Sequence, residues 1–395
     1  MELKEEGCPG RQGDRRRLRL RRDLRVSLAD GAAHGGMVGF GETYLPAFVL
    51  AVGLGEIMAG LIASVPLLAG GLMQLASPAG VRILGSHKRW VILCAGIQAV
   101  SFVPFLLAAL GGRITGPTAL LIAAIYWGTG LATGPAWNTW IGTVVPHAVR
   151  SRFFAFRTRA SQAAVFGGFL AGGLGLQLAA SAGHAIAAFA VMFALAGLCR
   201  FGSVVLLTLH SEPVPIPANM RRVSAREMWR LFQGDGGGKL LVYLVAVQAA
   251  VQLSSPFFTP FMFTKLHFSY GQYVFLLSVA YLTKILALPF FGRLARRFGA
   301  WRVLWIGGIG ITPISAAWLV TQDFGWLAAV QVVSGVVWAA YELAFFLLFF
   351  ESIRDEERTS VLTVYNFINS LAWVSGAVLG GALLVSTGAG FHGYL

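Results

Sequence analysis

Residues 150–173 read RSRFFAFRTRASQAAVFGGFLAGG, and residues 358–381 read RTSVLTVYNFINSLAWVSGAVLGG. At an offset of 208, Arg150 aligns with Arg358, Gly168 with Gly376, and Gly172–Gly173 with Gly380–Gly381. A second pair of segments repeats at an offset of 212. GVRILGSHKRW starts at Gly80 and GRLARRFGAWR starts at Gly292. A repeat near 210 residues makes the chain two copies of one plan. Whether the copies share an orientation depends on what lies between them.

Composition supplies the medium. The chain has 395 residues, 56% hydrophobic and only 12% charged. Soluble domains carry roughly 25% charged residues, so this chain cannot cover a wet surface of its size. A bilayer crossing needs about 20 mostly apolar residues. Eleven such runs are predicted, near 28–52, 57–79, 90–111, 118–145, 160–182, 185–209, 240–264, 270–291, 303–321, 325–350 and 360–386. Each is expected to be a helix, because a lone segment in lipid must satisfy its own backbone hydrogen bonds.

Charge placement checks the count. Of 31 Lys and Arg, 27 fall in the N-terminal arm and the even-numbered connections, and two in the odd-numbered ones. That asymmetry is the positive-inside pattern. It predicts a cytoplasmic N-terminus in a cell (inner or plasma) membrane. The net charge of +14 is then a topology signal near anionic lipid, and no nucleic-acid partner is expected. The repeat contains an even number of runs, so the copies run parallel, as in one large class of secondary transporters.

The expected organisation is a basic arm (1–27), a six-helix bundle (28–209), a linker with an amphipathic basic helix (210–239) and a second bundle (240–395). The second bundle has five runs. Adding the 208-residue offset to His184, at the start of the sixth run, gives His392, close to Leu395. A twelfth run is therefore expected to be missing, with a natural eleven-span protein as the alternative.

These features resemble the major facilitator superfamily from residue 28 onward. That family's loop pattern is Gly-x-Leu-Ala-Asp-Arg-x-Gly-Arg-Arg. Gly292, Leu294, Ala295, Arg297 and Gly299 match it, while Arg296 stands in place of the acid. The first copy keeps Gly80, Lys88 and Arg89 and also lacks the acid. The resemblance implies an all-α membrane fold of two bundles related by a pseudo-two-fold along the membrane normal. It also implies that the two loops, with Arg293 and Arg296, act in gating, and that the first, fourth, seventh and tenth runs line a central cavity.

Ionisable groups inside the runs are the leading functional candidates, because a charge at mid-bilayer costs about 2.5–3.5 kcal/mol on insertion scales. They are Glu42, Arg200, Lys284 and Glu342. Paired with a cation, a carboxylate stays ionised; alone in an apolar site, a carboxyl group holds a proton more readily. Two readings stay open. Either Glu42 or Glu342 responds to protons, or Lys284–Glu342 and Arg200–Glu42 are fixed ion pairs. Tyr44, Trp137, Asn138, Gln248, Gln252 and Tyr341 are cavity candidates for a solute with hydroxyl, amide or ring groups. Asp30 and His34, four apart, could pair or gate.

Two small-residue faces, Gly168/Gly172 and Gly376/Gly380, mark close helix contacts. These lie either between the halves or within each. There is no H-E-x-x-H frame, no G-x-S-x-G elbow and no phosphate-cradling G-x-x-x-x-G-K-[ST]. No cofactor or metal is implied, and an enzyme is not expected. The expected function is secondary transport of a small solute by a monomer, with a proton as a possible coupling ion. The alternative is a non-transporting receptor or assembly protein of the same fold.

Overall fold

The computed structural model describes residues 9–213, 237–255, 258, 261–262, 266–268, 270–353 and 355–386. All regular elements among them are helical. In chain order, α1 is Pro9–Phe40, followed by a 3-10 turn (Glu42–Tyr44), α2 (Leu45–Ala51) and α3 (Gly55–Met73). Then come a 3-10 turn (Gln74–Ala76), α4 (Ser77–Leu84), α5 (His87–Val100), α6 (Phe102–Gly111), α7 (Gly116–Val144), α8 (His147–Ser181) and α9 (Ala185–Leu209). The second half holds α10 (Gly237–Ser254), α11 (Tyr270–Phe298), α12 (Ala300–Ile311), α13 (Ile314–Val320), α14 (Phe324–Ser352) and α15 (Asp355–Ser386).

Among the described residues, nine helical stretches are long and apolar enough to cross a bilayer, and Gly238–Ser254 is a shorter apolar helix. Two of the eleven predicted runs account for the difference. The first, 28–52, breaks after Phe40. Pro46 has no N–H to return to the Glu42 carbonyl, and that carbonyl instead takes the Leu45 N–H in a 3-10 turn. The seventh run begins as α10, but much of 256–265 lies outside the described residues, as do the linker at 214–236 and the chain beyond Ser386.

The arm is not separate from the first run. α1 carries the arginines from Arg11 onward straight into the bundle. Asp23 accepts from the backbone N–H (3.3 Å) and hydroxyl of Ser211, and Arg22 donates to the Leu209 carbonyl at 3.3 Å. The exit of α9 is thereby tied to the entry of α1.

The repeat extends to hydrogen-bond detail. Arg150 donates to the carbonyls of Gly142 (3.1 Å) and Val145 (3.4 Å), closing the end of α7. Arg358 donates to Phe350 (3.4 Å) and Ile353 (3.0 Å), closing the end of α14. All three residues are offset by 208. Each guanidinium supplies donors to carbonyls that helix termination leaves without partners. Likewise the α5–α6 break at Ser101 and the α12–α13 break at Pro313 stand 212 apart.

The small-residue faces pack within each half. A Cβ on Gly168 would lie 3.1 Å from the Gly39 Cα, so α8 rests directly on α1. A Cβ on Gly376 would lie 2.9 Å from the Gln252 Cβ, so α15 rests on α10. The expected choice between inter-half and intra-half contact resolves to the second for both residues. The outward faces of the long helices carry exposed Leu107, Leu178, Leu198 and Val378, the apolar covering that lipid requires.

Gly168→Val is expected to destabilise the protein by about 1–3 kcal/mol, the usual range for overpacking. Gly175→Val, on the same helix with open space at its Cβ, should change little. Thermal unfolding of both variants in detergent checks this pair.

Candidate functional site

The buried apolar side chains divide in a telling way. At the end of the bundle that carries the arm, one core draws on both halves, including Trp140, Val144 and Phe154 from the first and Leu288, Phe291, Leu347 and Leu362 from the second. At the other end the described residues form two separate cores. One holds Phe48, Phe102, Phe105, Phe189 and Phe193 of the first half. The other holds Phe261, Leu276, Trp318 and Leu327 of the second. The halves are joined at the arm end.

Polar and aromatic contacts fasten that junction. Phe350 stacks on Phe154 with centroids 5.2 Å apart, and Phe346 meets Phe154 edge-on at 4.7 Å. The guanidinium of Arg150 lies 4.9 Å from the Phe350 centroid, and that of Arg358 lies 5.1 Å from it. Thr359 is buried between His87 Nε2 at 3.2 Å and Thr139 Oγ1 at 2.7 Å, so α15 bonds to α5 and α7 together.

The predicted gating residues surround this junction. Gly80 lets the Trp90 ring lie against α4. Lys88 Nζ donates to the carbonyls of Thr208 (2.8 Å) and His210 (2.7 Å), capping α9, and the Lys88 N–H reaches Glu212 at 3.2 Å. The Arg89 N–H bonds Ser86 Oγ at 3.0 Å, capping α5. Gly292 lets α11 approach Ala155 of α8, and Gly299, at φ +87°, makes the turn into α12. Arg293, Arg296 and Arg297 are exposed on the last turns of α11.

The four intramembrane charges are arranged differently in the two halves. Lys284 Nζ and Glu342 Oε2 are 2.5 Å apart, an ion pair between α11 and α14. Glu42 does not meet Arg200. Its Oε2 accepts from the Tyr126 hydroxyl at 2.7 Å, and no ion pair to it occurs among the described residues. The helix break sends Glu42 toward α7, whereas Arg200 sits nearer the arm end. There Arg200 donates to Ser203 Oγ (3.0 Å) and faces His34 Nδ1 (3.3 Å).

Two cavity candidates turn elsewhere. Tyr341 is buried against Gly307 of α12, and Tyr44 packs on Gly172 and donates to the Phe169 carbonyl. Adjacent helix positions point about 100° apart, so Tyr341 does not share the direction of Glu342. Trp137 lies under the Arg157 guanidinium at 4.2 Å and beside Phe346 at 6.4 Å. Asn138 keeps a buried Oδ1 that has no hydrogen-bond partner among the described residues. Gln248 and Gln252 are half-buried, and Gln252 also touches Gly376.

Charges that the run boundaries did not mark as buried form the densest network. Arg157 Nη2 pairs with Asp30 Oδ2 at 2.9 Å, and Ser203 donates to Asp30 Oδ1 at 2.7 Å. The signal available beforehand was the i, i+4 spacing of Asp30 and His34. Arg157 was hidden by its place in a basic stretch near a run's start.

The family model for the Major Facilitator Superfamily matches residues 37–377. The chain belongs to the major facilitator superfamily. The E. coli fucose:proton symporter FucP shares the fold at 12% identity and TM-score 0.72, with 94% of each chain covered. A bacterial homologue of the iron transporter ferroportin, in an outward-facing state, matches at 12% identity and TM-score 0.68, covering 95% of this chain and 93% of that one. The proton:xylose symporter XylE matches at 14% identity and TM-score 0.69, covering 95% and 92%. No curated protein sequence matches the chain. It is a multi-pass membrane transporter of this superfamily, with two parallel bundles, rather than an enzyme.

In this superfamily member the Lys284–Glu342 pair is only partly exposed, at 13% and 31% of the two side chains. Lys284→Met should lower thermal stability more than the double change Lys284→Met with Glu342→Gln, because the single variant leaves a carboxylate in apolar surroundings. A coupling of about 0.5–3 kcal/mol is expected from the double-mutant cycle. Additive effects would mean that the pair contributes nothing.

Proposed function

We propose that this chain is a secondary active transporter that moves a small solute by alternating access, with Glu42 as its proton-responsive group. The observation that carries the reading is the unequal treatment of the two intramembrane carboxylates. Glu342 has a cation at ion-pair distance, while Glu42 has a phenol hydroxyl. A carboxyl group without a cation changes charge at a lower free-energy penalty than one that must abandon a salt bridge. Its position also suits the role. Glu42 sits at the α1–α2 break, beside the first half's separate core and away from the shared core.

The positive-inside pattern supports an arm end on the cytoplasmic side of a cell membrane. The junction at that end then makes this an outward-facing arrangement, with the solute path opening away from the arm. The units are the arm (1–27), the first bundle (28–209), the linker (210–239) and the second bundle (240–395), working as a monomer. Asn138, Gln248 and Gln252 supply amide groups to a polar solute. Gly80, Lys88, Arg89, Gly292 and Gly299 hold the helix ends that must part when the cytoplasmic side opens. FucP and XylE are proton symporters by name, which supports a proton as the coupling ion here.

Glu42→Gln is the direct test. In proteoliposomes loaded with candidate solutes, the variant should lose the acceleration of flux by an imposed pH gradient and keep solute exchange without a gradient. Tyr126→Phe should shift the pH response and retain it. Full pH dependence in Glu42→Gln would overturn the assignment.

A further inference from the structure

Near the arm end, a cavity of about 180 Å³ lies inside the first half between α1, α7, α8 and α9. Its wall includes Asp30, His34, Thr133, Trp137, Arg157 and Arg200. That volume equals about six waters at ~30 Å³ each. It is separate from Glu42, and the proton reading above does not use it.

The charges of this wall do not balance. Two guanidiniums face one carboxylate. Both oxygens of Asp30 are occupied, Oδ2 by Arg157 and Oδ1 by Ser203. Arg157 is further held by the Ser27 carbonyl at 3.1 Å and by the Trp137 ring. Arg200 is 3% exposed, and its direct partners are both neutral. One is the Ser203 hydroxyl. The other is His34 Nδ1, which can accept a hydrogen bond only when that nitrogen carries no proton. Among the described residues, Arg200 Nε is buried with no hydrogen-bond partner. The wall therefore has a surplus positive charge, an unused guanidinium donor and empty space beside them. Buried charges require a partner or a ligand, and arginine's planar donor fork suits oxyanions.

We propose that this cavity is a binding site for a small monovalent anion, either a halide or a short carboxylate, held by Arg200 with Arg157 beside it. One negative charge neutralises the wall, and a carboxylate or halide engages the free guanidinium edge. The site adjoins the junction between the halves, because Trp137 lies under Arg157 and beside the tilted ring of Phe346 of the second half. Parting of the halves removes Phe346 from Trp137 and opens a route from the arm end to the bound anion.

The test uses the purified full chain in detergent, with sodium gluconate as the bulky reference salt. Gluconate is replaced stepwise by chloride or by acetate at constant ionic strength, and thermal unfolding is followed. The expected result is a saturable rise in Tm with at least one of the two. Chloride alone identifies a halide site, and a larger rise with acetate identifies a carboxylate site. Arg200→Gln should abolish the rise. Asp30→Asn removes the competing carboxylate and should lower the half-saturating concentration by about tenfold, or about 1.4 kcal/mol. A purely structural network predicts no gain in anion affinity from that change.

No rise over gluconate with either anion would overturn the proposal, as would a wild-type response in Arg200→Gln. If Arg200→Gln cannot be purified, Asp30→Asn decides. Tighter anion binding supports the site, and unchanged or weaker binding refutes it. The readout is binding, so failure of proton coupling at Glu42 leaves this result interpretable.

Discussion

The Phe350 ring, met by the guanidinium of Arg150 and the ring of Phe154 from the other half and by Arg358 of its own, is the contact on which the arrangement of the two halves depends. The two arginines are counterparts in the repeat, yet they come from opposite halves. Each first completes the end of its own half's helix, α7 or α14. Each then offers its cationic face to the same aromatic ring. Only the Arg150 contact crosses between the halves, because Arg358 and Phe350 both belong to the second. A desolvated cation–π contact is worth about 2 kcal/mol, enough to help fasten the junction without making it permanent. Phe154, Thr139 and Thr359 extend the same seam. At the other end of the molecule the described residues of each half form a core of their own.

Within each half, the binding is of another kind. Lipid gives little hydrophobic drive for helices to associate, and the contacts that replace it are close backbone approaches such as Gly168 on Gly39 and Gly376 on α10. These interfaces leave no space for side-chain rearrangement, so each half can move as a unit. Close-packed halves and a seam at the arm end are the features on which the proposed alternating access would act. The intramembrane charges follow the same division. Lys284–Glu342 and Arg157–Asp30 each connect helices of a single half, and Glu42 is hydrogen-bonded by its own half's Tyr126.

Much of this plan was legible in the residues. The long apolar runs, the alternation of arginine-rich connections and the matched segments at Arg150 and Arg358 indicated two parallel bundles. The Lys284–Glu342 pair was one of two open readings. Other features depend on direction rather than position. The Gly-xxx-Gly spacing at 168 and 172 revealed a close contact but could not name its partner. Tyr341 adjoins Glu342 in sequence, yet one helix step turns it into the core against Gly307. Hydropathy windows also hide charges near their ends. α8 starts at His147, so Arg157 is well inside a helix, and its pairing with Asp30 required knowing which face of α1 meets α8. The Pro46 break after Phe40 likewise redirects Glu42 away from Arg200.

The central claim, that rigid halves pivot about a seam that opens only as the far side closes, is most directly tested by spin-label distances in a cysteine-free background. One pair, Ile83→Cys with Trp301→Cys, lies near the arm end. The other, Leu110→Cys with Val320→Cys, lies near the opposite end, and all four positions are exposed. The account predicts two populations in lipid, with the arm-end distance longer whenever the opposite-end distance is shorter. A single fixed distance for both pairs, or both lengthening together, would contradict it.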